Sequence, residues 1–278
     1  MALGLAAAAT AAAVSTANGA RAQAIETLEA REYRACMSLI NVDPDEAFER
    51  ALSLQDAGGG APAKHCAAAA LAAGGHHAEA ARRFEALATE MPEDAPAEIV
   101  ADILGQAGIA WVTAGEPGKA YPLQTAALDL APRSVDLLVD RAVALAALDR
   151  LWEAVDDLDA AIALDPGRVE AHALRASAYR QLDVLDLALE SADRALELDP
   201  DHPEALLERG AIHRLRGALD LARRDWIALI ERHEGRPAAD LARRNLDRLD
   251  FGPPDAEADS QALEDADGPF ETGAPPQQ

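Results

Sequence analysis

Residues 127–132 read ALDLAP, residues 161–166 AIALDP and residues 195–200 ALELDP, so three similar phrases close on Pro132, Pro166 and Pro200, 34 residues apart. Ala127, Ala161 and Ala195 stand five residues before these prolines, and Ala120, Ala154 and Ala188 stand twelve before. Twenty-four before are Gly108, Ala142 and Ala176, and the next period continues these columns with Gly210, Ala222 and Leu229. Four columns that keep one period mark an internal repeat, and a period of this length means stacked supersecondary units. The small residues recur where two helix backbones come closest, since a larger side chain there would push the pair apart. Each proline can sit in the first turn of a helix but not beyond it, and it biases the residue before it away from the helical region.

Each period has room for two amphipathic helices with a turn near Gly115, Asp149, Asp183 or Gly217. Larger apolar residues, Leu138, Leu145, Leu158 and Ile162 in one unit, fill the space between them. Val, Ile and Thr form no alternating runs, so strands find no support and the chain reads as all-α. A lone hairpin leaves one apolar face uncovered, which neighbours must bury by stacking.

The 34-residue spacing with Gly108, Trp111, Ala120, Ala127 and Pro132, and its echoes, resembles the tetratricopeptide repeat (TPR). The resemblance implies an all-α, right-handed α-solenoid of stacked helical hairpins. Four units, 101–134, 135–168, 169–202 and 203–236, keep continuous phase. Residues 61–94 keep the internal spacing through Ala68, Ala80, Phe84, Leu87 and Pro92, with six extra residues around Glu93–Glu98 before the next unit, so the array is expected over 61–236. Upstream, residues 23–60 are expected to form a hairpin, a degenerate unit over 28–58 marked by Ala35, Ala47 and Ala51 and ended by Gly58-Gly59-Gly60. Downstream, Leu241, Leu246 and Leu249 share one side of a C-terminal capping helix over 237–250. Residues 251–278 hold five prolines, seven acidic residues and no basic ones, the composition of a disordered tail.

The chain of 278 residues carries 25 Lys and Arg against 49 Asp and Glu, a formal charge of −24. Such a balance, with no basic stripe, repels a phosphate backbone and argues against nucleic-acid binding. No P-loop, dinucleotide fingerprint, nucleophile elbow or HExxH helix is present, so neither an enzyme nor a cofactor is expected. His76-His77 offers too few ligands for a metal. Ala2 to Val14 is nearly unbroken small apolar sequence and Ala20-Arg21-Ala22 supplies a small-x-small cleavage pattern, which together predict a signal peptide over residues 1–22. No Lys or Arg stands between Met1 and Val14, so the usual basic start is missing. No other run reaches the ~18 apolar residues of a membrane span, so none is expected in a mature chain. The expected compartment is the periplasm, with the cytoplasm as the alternative if residues 1–22 are retained. In an oxidising compartment Cys36 and Cys66 would pair, closing a loop of about 30 residues worth roughly 3 kcal/mol. Two buried free thiols are the other reading.

The resemblance also implies a concave wall lined by the first helix of each unit. By register the candidates are Gln106, Ile109 and Thr113, then Asp140 and Val143, then Ser177, Arg180 and Gln181, then Glu208, Ala211 and Arg214. Family members that grip a terminal carboxylate use a Lys/Asn/Arg clamp at places held here by Gly105, Ile109, Val139 and Val143, so that clamp is absent. Arg180 and Arg214 are the candidate carboxylate contacts. A further column, Arg141, Arg175 and Arg209, faces Asp157, Ser191 and Asp225 sixteen residues on, with Glu190 or Asp193 as the acid for the middle unit. Structural bridging is expected of it, recognition by an arginine ladder being the alternative. The expected function is a non-enzymatic scaffold for a protein or peptide of unknown identity. A structural or assembly module of a larger periplasmic or envelope complex, and a cytoplasmic regulator, are the alternatives.

Overall fold

The computed structural model describes residues 30–252, and every regular element among them is an α-helix. The signal-peptide expectation for residues 1–22 and that of a disordered tail beyond Gly252 lie outside the described residues. The chain divides into two compact units, Met1–Ala95 and Pro96–Gln278. The hairpin at 61–94, expected at the head of the array, therefore belongs to the first unit. The six-residue junction that interrupts the period is where the chain divides.

The first unit contains α1 (helical over 30–39), α2 (Pro44–Asp56), α3 (Gly60–Ala73) and α4 (His77–Glu90). Asp43 caps α2 by accepting the Glu46 N–H at 3.0 Å, and Pro44 fills the first helical position, where its missing N–H costs nothing. The core is small-residue packing around Ala47, Ala51, Ala67 and Ala70, closed by Ile40 and covered by Tyr33, Met37 and Phe48. Cys36 on α1 and Cys66 on α3 are joined there in a disulfide with a Cα–Cα distance of 6.4 Å. His65 lies between Tyr33 and Phe84 in two edge-to-face contacts and shares a 3.0 Å hydrogen bond with the Tyr33 hydroxyl.

The second unit is built of four hairpins and a last helix: α5 (Ala97–Thr113) with α6 (Pro117–Leu130), α7 (Val135–Ala147) with α8 (Leu151–Leu164), α9 (Val169–Gln181) with α10 (Leu185–Leu198), α11 (Pro203–Leu215) with α12 (Leu219–Arg232), and α13 (Pro237–Phe251). Main contacts run between consecutive helices and between successive first helices, α5 to α7, α7 to α9, α9 to α11 and α11 to α13. Both ends of each hairpin have a local cause. Between the paired helices Gly115, Asp149, Asp183 and Gly217, one per period, adopt φ of 77°, 59°, 59° and 76°. Only glycine enters that left-handed region freely, and aspartate is among the few side chains that tolerate it. At the far end Ala131, Asp165 and Asp199 precede the period-marking prolines with φ of −132°, −136° and −135°, the extended geometry that a following proline imposes. Asp165 and Asp199 also accept the backbone N–H two residues on, from Gly167 at 3.0 Å and Asp201 at 3.1 Å.

Small residues sit at the closest approaches. The facing column, sixteen residues on, holds Gln124, Leu158, Ala192 and Trp226, so the smallest residues, Gly108 and Gly210, meet large partners. A Cβ on Gly210 would lie 2.3 Å from Nε1 of Trp226, and one on Gly108 2.5 Å from Cγ of Gln124. Trp226 is completely buried and its indole N–H donates to the Leu207 carbonyl at 3.2 Å. The last hairpin's apolar surface is covered by Ala238 and Ala242 of α13, with Leu246 and Leu249 beside them.

The arginine column braces the stack. Arg141 forks onto both Asp157 oxygens at 2.7 Å, and Arg209 holds Asp225 at 2.9 and 2.7 Å. Each arginine also reaches sixteen residues backwards, Arg141 to Thr125, Arg175 to Asp159 and Arg209 to Asp193. Arg175 meets Ser191 at 3.1 Å in its own hairpin and takes its acid from Asp159 of the preceding one, not from Glu190 or Asp193. A first helix packs against the second helices on both sides of it, so its arginine spans the two. Hydrogen bonding to Asp157 and to Asp225 holds the Arg141 and Arg209 guanidiniums charged.

Candidate interaction face

The first helices of the second unit form a row, and each turns one stripe away from its own hairpin. On α5 the stripe is Asp102, Gln106, Ile109 and Thr113; on α7 it is Asp136, Asp140, Val143 and Ala147. On α9 it is Glu170, Leu174, Ser177 and Gln181, and on α11 Glu204, Glu208, Ala211 and Leu215. These spacings of four, three and four residues keep to one side of an α-helix. The opposite side carries the columns that pack against the second helices. The amino-terminal end of every stripe is acidic and its carboxy-terminal end neutral.

The candidate residues do not all reach this surface. Thr113 is exposed and its hydroxyl donates to the Ile109 carbonyl at 2.9 Å, while Gln106, Ile109, Asp140, Gln181, Glu208, Ala211 and Arg214 are partly exposed. Three expectations are corrected: Val143, Ser177 and Arg180 are only 7%, 2% and 8% exposed. Successive first helices lean against one another, and this contact covers the middle of α7 and α9. Ser177 is taken up locally, its hydroxyl accepting from Gln181 at 3.3 Å. Arg180 folds across to α11, where its Nε donates to Glu208 at 2.7 Å. Its charge is spent between two hairpins, so it is not a contact held open for a ligand carboxylate.

Asp140 behaves differently from the other acids. Its backbone carbonyl accepts from the buried Gln124 amide at 3.2 Å. Its carboxyl has no hydrogen-bond donor among the described residues. Burial pushes its pKa up to about 7, Glu170 and Asp136 add to the shift, and only Arg168 opposes it. Arg168 spans the neighbouring acids, with Asp136 at 2.8 Å and Glu170 at 3.0 Å.

No family model matches the chain, and no curated protein matches its sequence. Solved structures match its fold. MamA from Desulfovibrio magneticus RS-1, residue 41 to its end, superposes with a TM-score of 0.53 at 20% identity, over 64% of this chain and 97% of that one. A crystal structure of MamA gives 0.51 at 20% identity, over 60% and 94%. YrrB, a TPR protein with an unusual peptide-binding site, gives 0.50 at 24% identity, over 63% and 88%. The fold is a TPR solenoid. Identities this low speak for the fold alone, and a fold is not a function. What the TPR geometry contributes is the placement of the stripes side by side on the row of first helices, which is the concave wall in such hairpin stacks.

Asp102, Asp136, Glu170 and Glu204, which open the four stripes, are not among the candidates that register pointed to. The signal was present as a 34-residue column of acids. No three His, Cys, Asp or Glu side chains gather as a metal site among the described residues. No helix among them is long and apolar enough to cross a membrane.

Proposed function

We propose that the protein is a non-enzymatic scaffold that holds an extended segment of a protein partner on the row formed by α5, α7, α9 and α11. The observation that carries this reading is the surface itself: four stripes in one register, each acidic at its amino-terminal end and neutral at its carboxy-terminal end. Backbone-rigid helices present them, so a bound segment pays the ordering cost alone. YrrB, which shares the hairpin stack, has a peptide-binding site and supports the same use of the fold. Adding bulk and charge at two stripe positions, Thr113→Arg with Ala211→Arg, should abolish partner capture from native extract while leaving the helical circular dichroism unchanged. Undiminished capture would sink the reading.

A second reading, an assembly module using the opposite face, has its own support. Trp152 is 57% exposed at the start of α8, and Leu187 and Leu221, one period apart on α10 and α12, are exposed as well. Trp152→Ser with Leu187→Ser separates the two: loss of capture there, with the stripe variant still active, would transfer the function to that face. Export is part of the proposal, supported by the Cys36–Cys66 bond and the apolar start of the sequence. A mature chain whose mass still includes Met1 would remove it.

A further inference from the structure

Leu104, Leu138, His172 and Leu206 form one 34-residue column on the first helices. Leu138 and Leu206 are 6% and 3% exposed and belong to the apolar core. His172 is covered as deeply, at 4%. An imidazole in an apolar position needs both ring nitrogens satisfied, and only one is. Nε2 lies 3.2 Å from the Pro166 carbonyl, which can only accept, so Nε2 carries the proton. Nδ1 is then a bare acceptor, buried and with no hydrogen-bond partner among the described residues.

A second proton on this ring has to go to Nδ1. It would bring a positive charge and a donor into a place that offers neither an acid nor an acceptor. The charges that bear on the ring are Arg175 on the same helix and Arg194 on α10, and both oppose another cation. No charge from α7, α8 or α11 bears on it among the described residues. Asp165, beside Pro166 in the chain, is turned to the Gly167 N–H at 3.0 Å. Burial and the two arginines hold the His172 pKa below the ordinary imidazole value, against the pull of the Pro166 carbonyl, which favours the charged ring.

The bond from His172 to Pro166 ties the link between the second and third hairpins to the first turn of α9. At the far end of the same two helices Trp152 and Tyr179 meet edge to face at 6.4 Å, a contact that takes no proton near neutral pH. α9 stands in the middle of the row, touching α7 on one side and α11 on the other.

We propose that His172 makes the α8–α9 junction an acid-sensitive break in the array: a proton on Nδ1 drives the imidazole out of the core, frees the 165–172 link and loosens α9 from α8. The row of first helices is then interrupted at its centre. The unfolded chain takes this proton more readily than the folded one. Stability from the ring is therefore complete above about pH 6.5 and is lost as pH falls below it. This inference goes beyond the scaffold reading and holds whatever the face binds.

The test is hydrogen exchange on the full chain at about pH 7.5 and about pH 5, on either side of the ordinary imidazole value, with His172→Leu and His172→Gln alongside. Rates are expressed as protection factors, so that the intrinsic pH dependence drops out. On acidification the native chain should lose at least about fivefold more protection over 165–175 than in α5 and α6, and in both variants this excess should vanish. Asp140 titrates in the opposite sense in all three chains and cancels from the comparison. An equal excess in the variants, or a loss spread evenly from α5 to α13, would overturn the proposal. Should the variants not fold, a proton NMR titration of the native chain decides. The His172 ring should titrate below the ordinary histidine value and in step with the loss of protection over 165–175. Titration at or above that value, or out of step with the loss, would overturn the proposal as well.

Discussion

A methyl group at position 210 would meet the indole of Trp226 at 2.3 Å, and the ring has nowhere to go because it is wholly buried and tethered to the Leu207 carbonyl. Gly210→Ala gains up to about 1 kcal/mol of helix propensity but overpacks the site at a cost of about 1–3 kcal/mol. A net loss of about 1–2 kcal/mol in denaturant unfolding is expected, and Trp226→Leu in the same chain should recover most of it, because Leu158 fills this column opposite Ala142. No recovery from Trp226→Leu would show that the clash is elsewhere. Asp140 sets a different dependence. Its folded pKa of about 7 lies above the ordinary aspartate value, so the folded chain keeps a proton that the unfolded chain gives up. Stability from this group is complete below about pH 4, falls as pH rises, and is lost above about pH 7. Asp136 and Glu170 raise the shift and Arg168 lowers it, so these three must stay in place. Asp140→Asn should flatten that slope and stabilise the chain at pH 8 by on the order of 2 kcal/mol. An unchanged pH profile would mean that the carboxyl is well solvated.

At the scale of helices, the arginine column separates two kinds of ion pair on one side chain. Arg209 holds Asp225, whose side chain is 10% exposed, through two bonds, and Asp193, which is 50% exposed, through one. Water screens the second pair, which should couple by about 0.2–1 kcal/mol, whereas charge-assisted bonds in the first should couple by about 1.5–3 kcal/mol. Double-mutant cycles with Arg209→Met against Asp225→Asn and against Asp193→Asn measure both. Equal coupling energies would show that burial does not distinguish them. This arrangement was only half legible in the sequence. The pairing of Arg209 with Asp225 follows from two columns sixteen residues apart. The backward reach to Asp159 and Asp193 does not, because it depends on how one hairpin sits on the one before. Arg180 is the same case: its register placed it on the wall, and a bond to Glu208, 28 residues on, folded it away.

Over the second unit, the sequence period translated directly into structure because small side chains, left-handed turn residues and prolines each act within a few residues of themselves. Stripe exposure was less legible, since Val143 and Ser177 are covered by helices a whole period away. The division at Ala95 and Pro96 coincides with the six-residue break in phase. Central to the account is that Pro96–Gly252 is a row of hairpins stabilised by their nearest neighbours. Such an array transmits damage only as far as its interfaces couple. Hydrogen exchange on Trp226→Ala tests this most directly. Protection should fall most in α11, α12 and α13, less in α9 and α10, and not measurably in α5 and α6. Uniform loss of protection from α5 to α13 would contradict it.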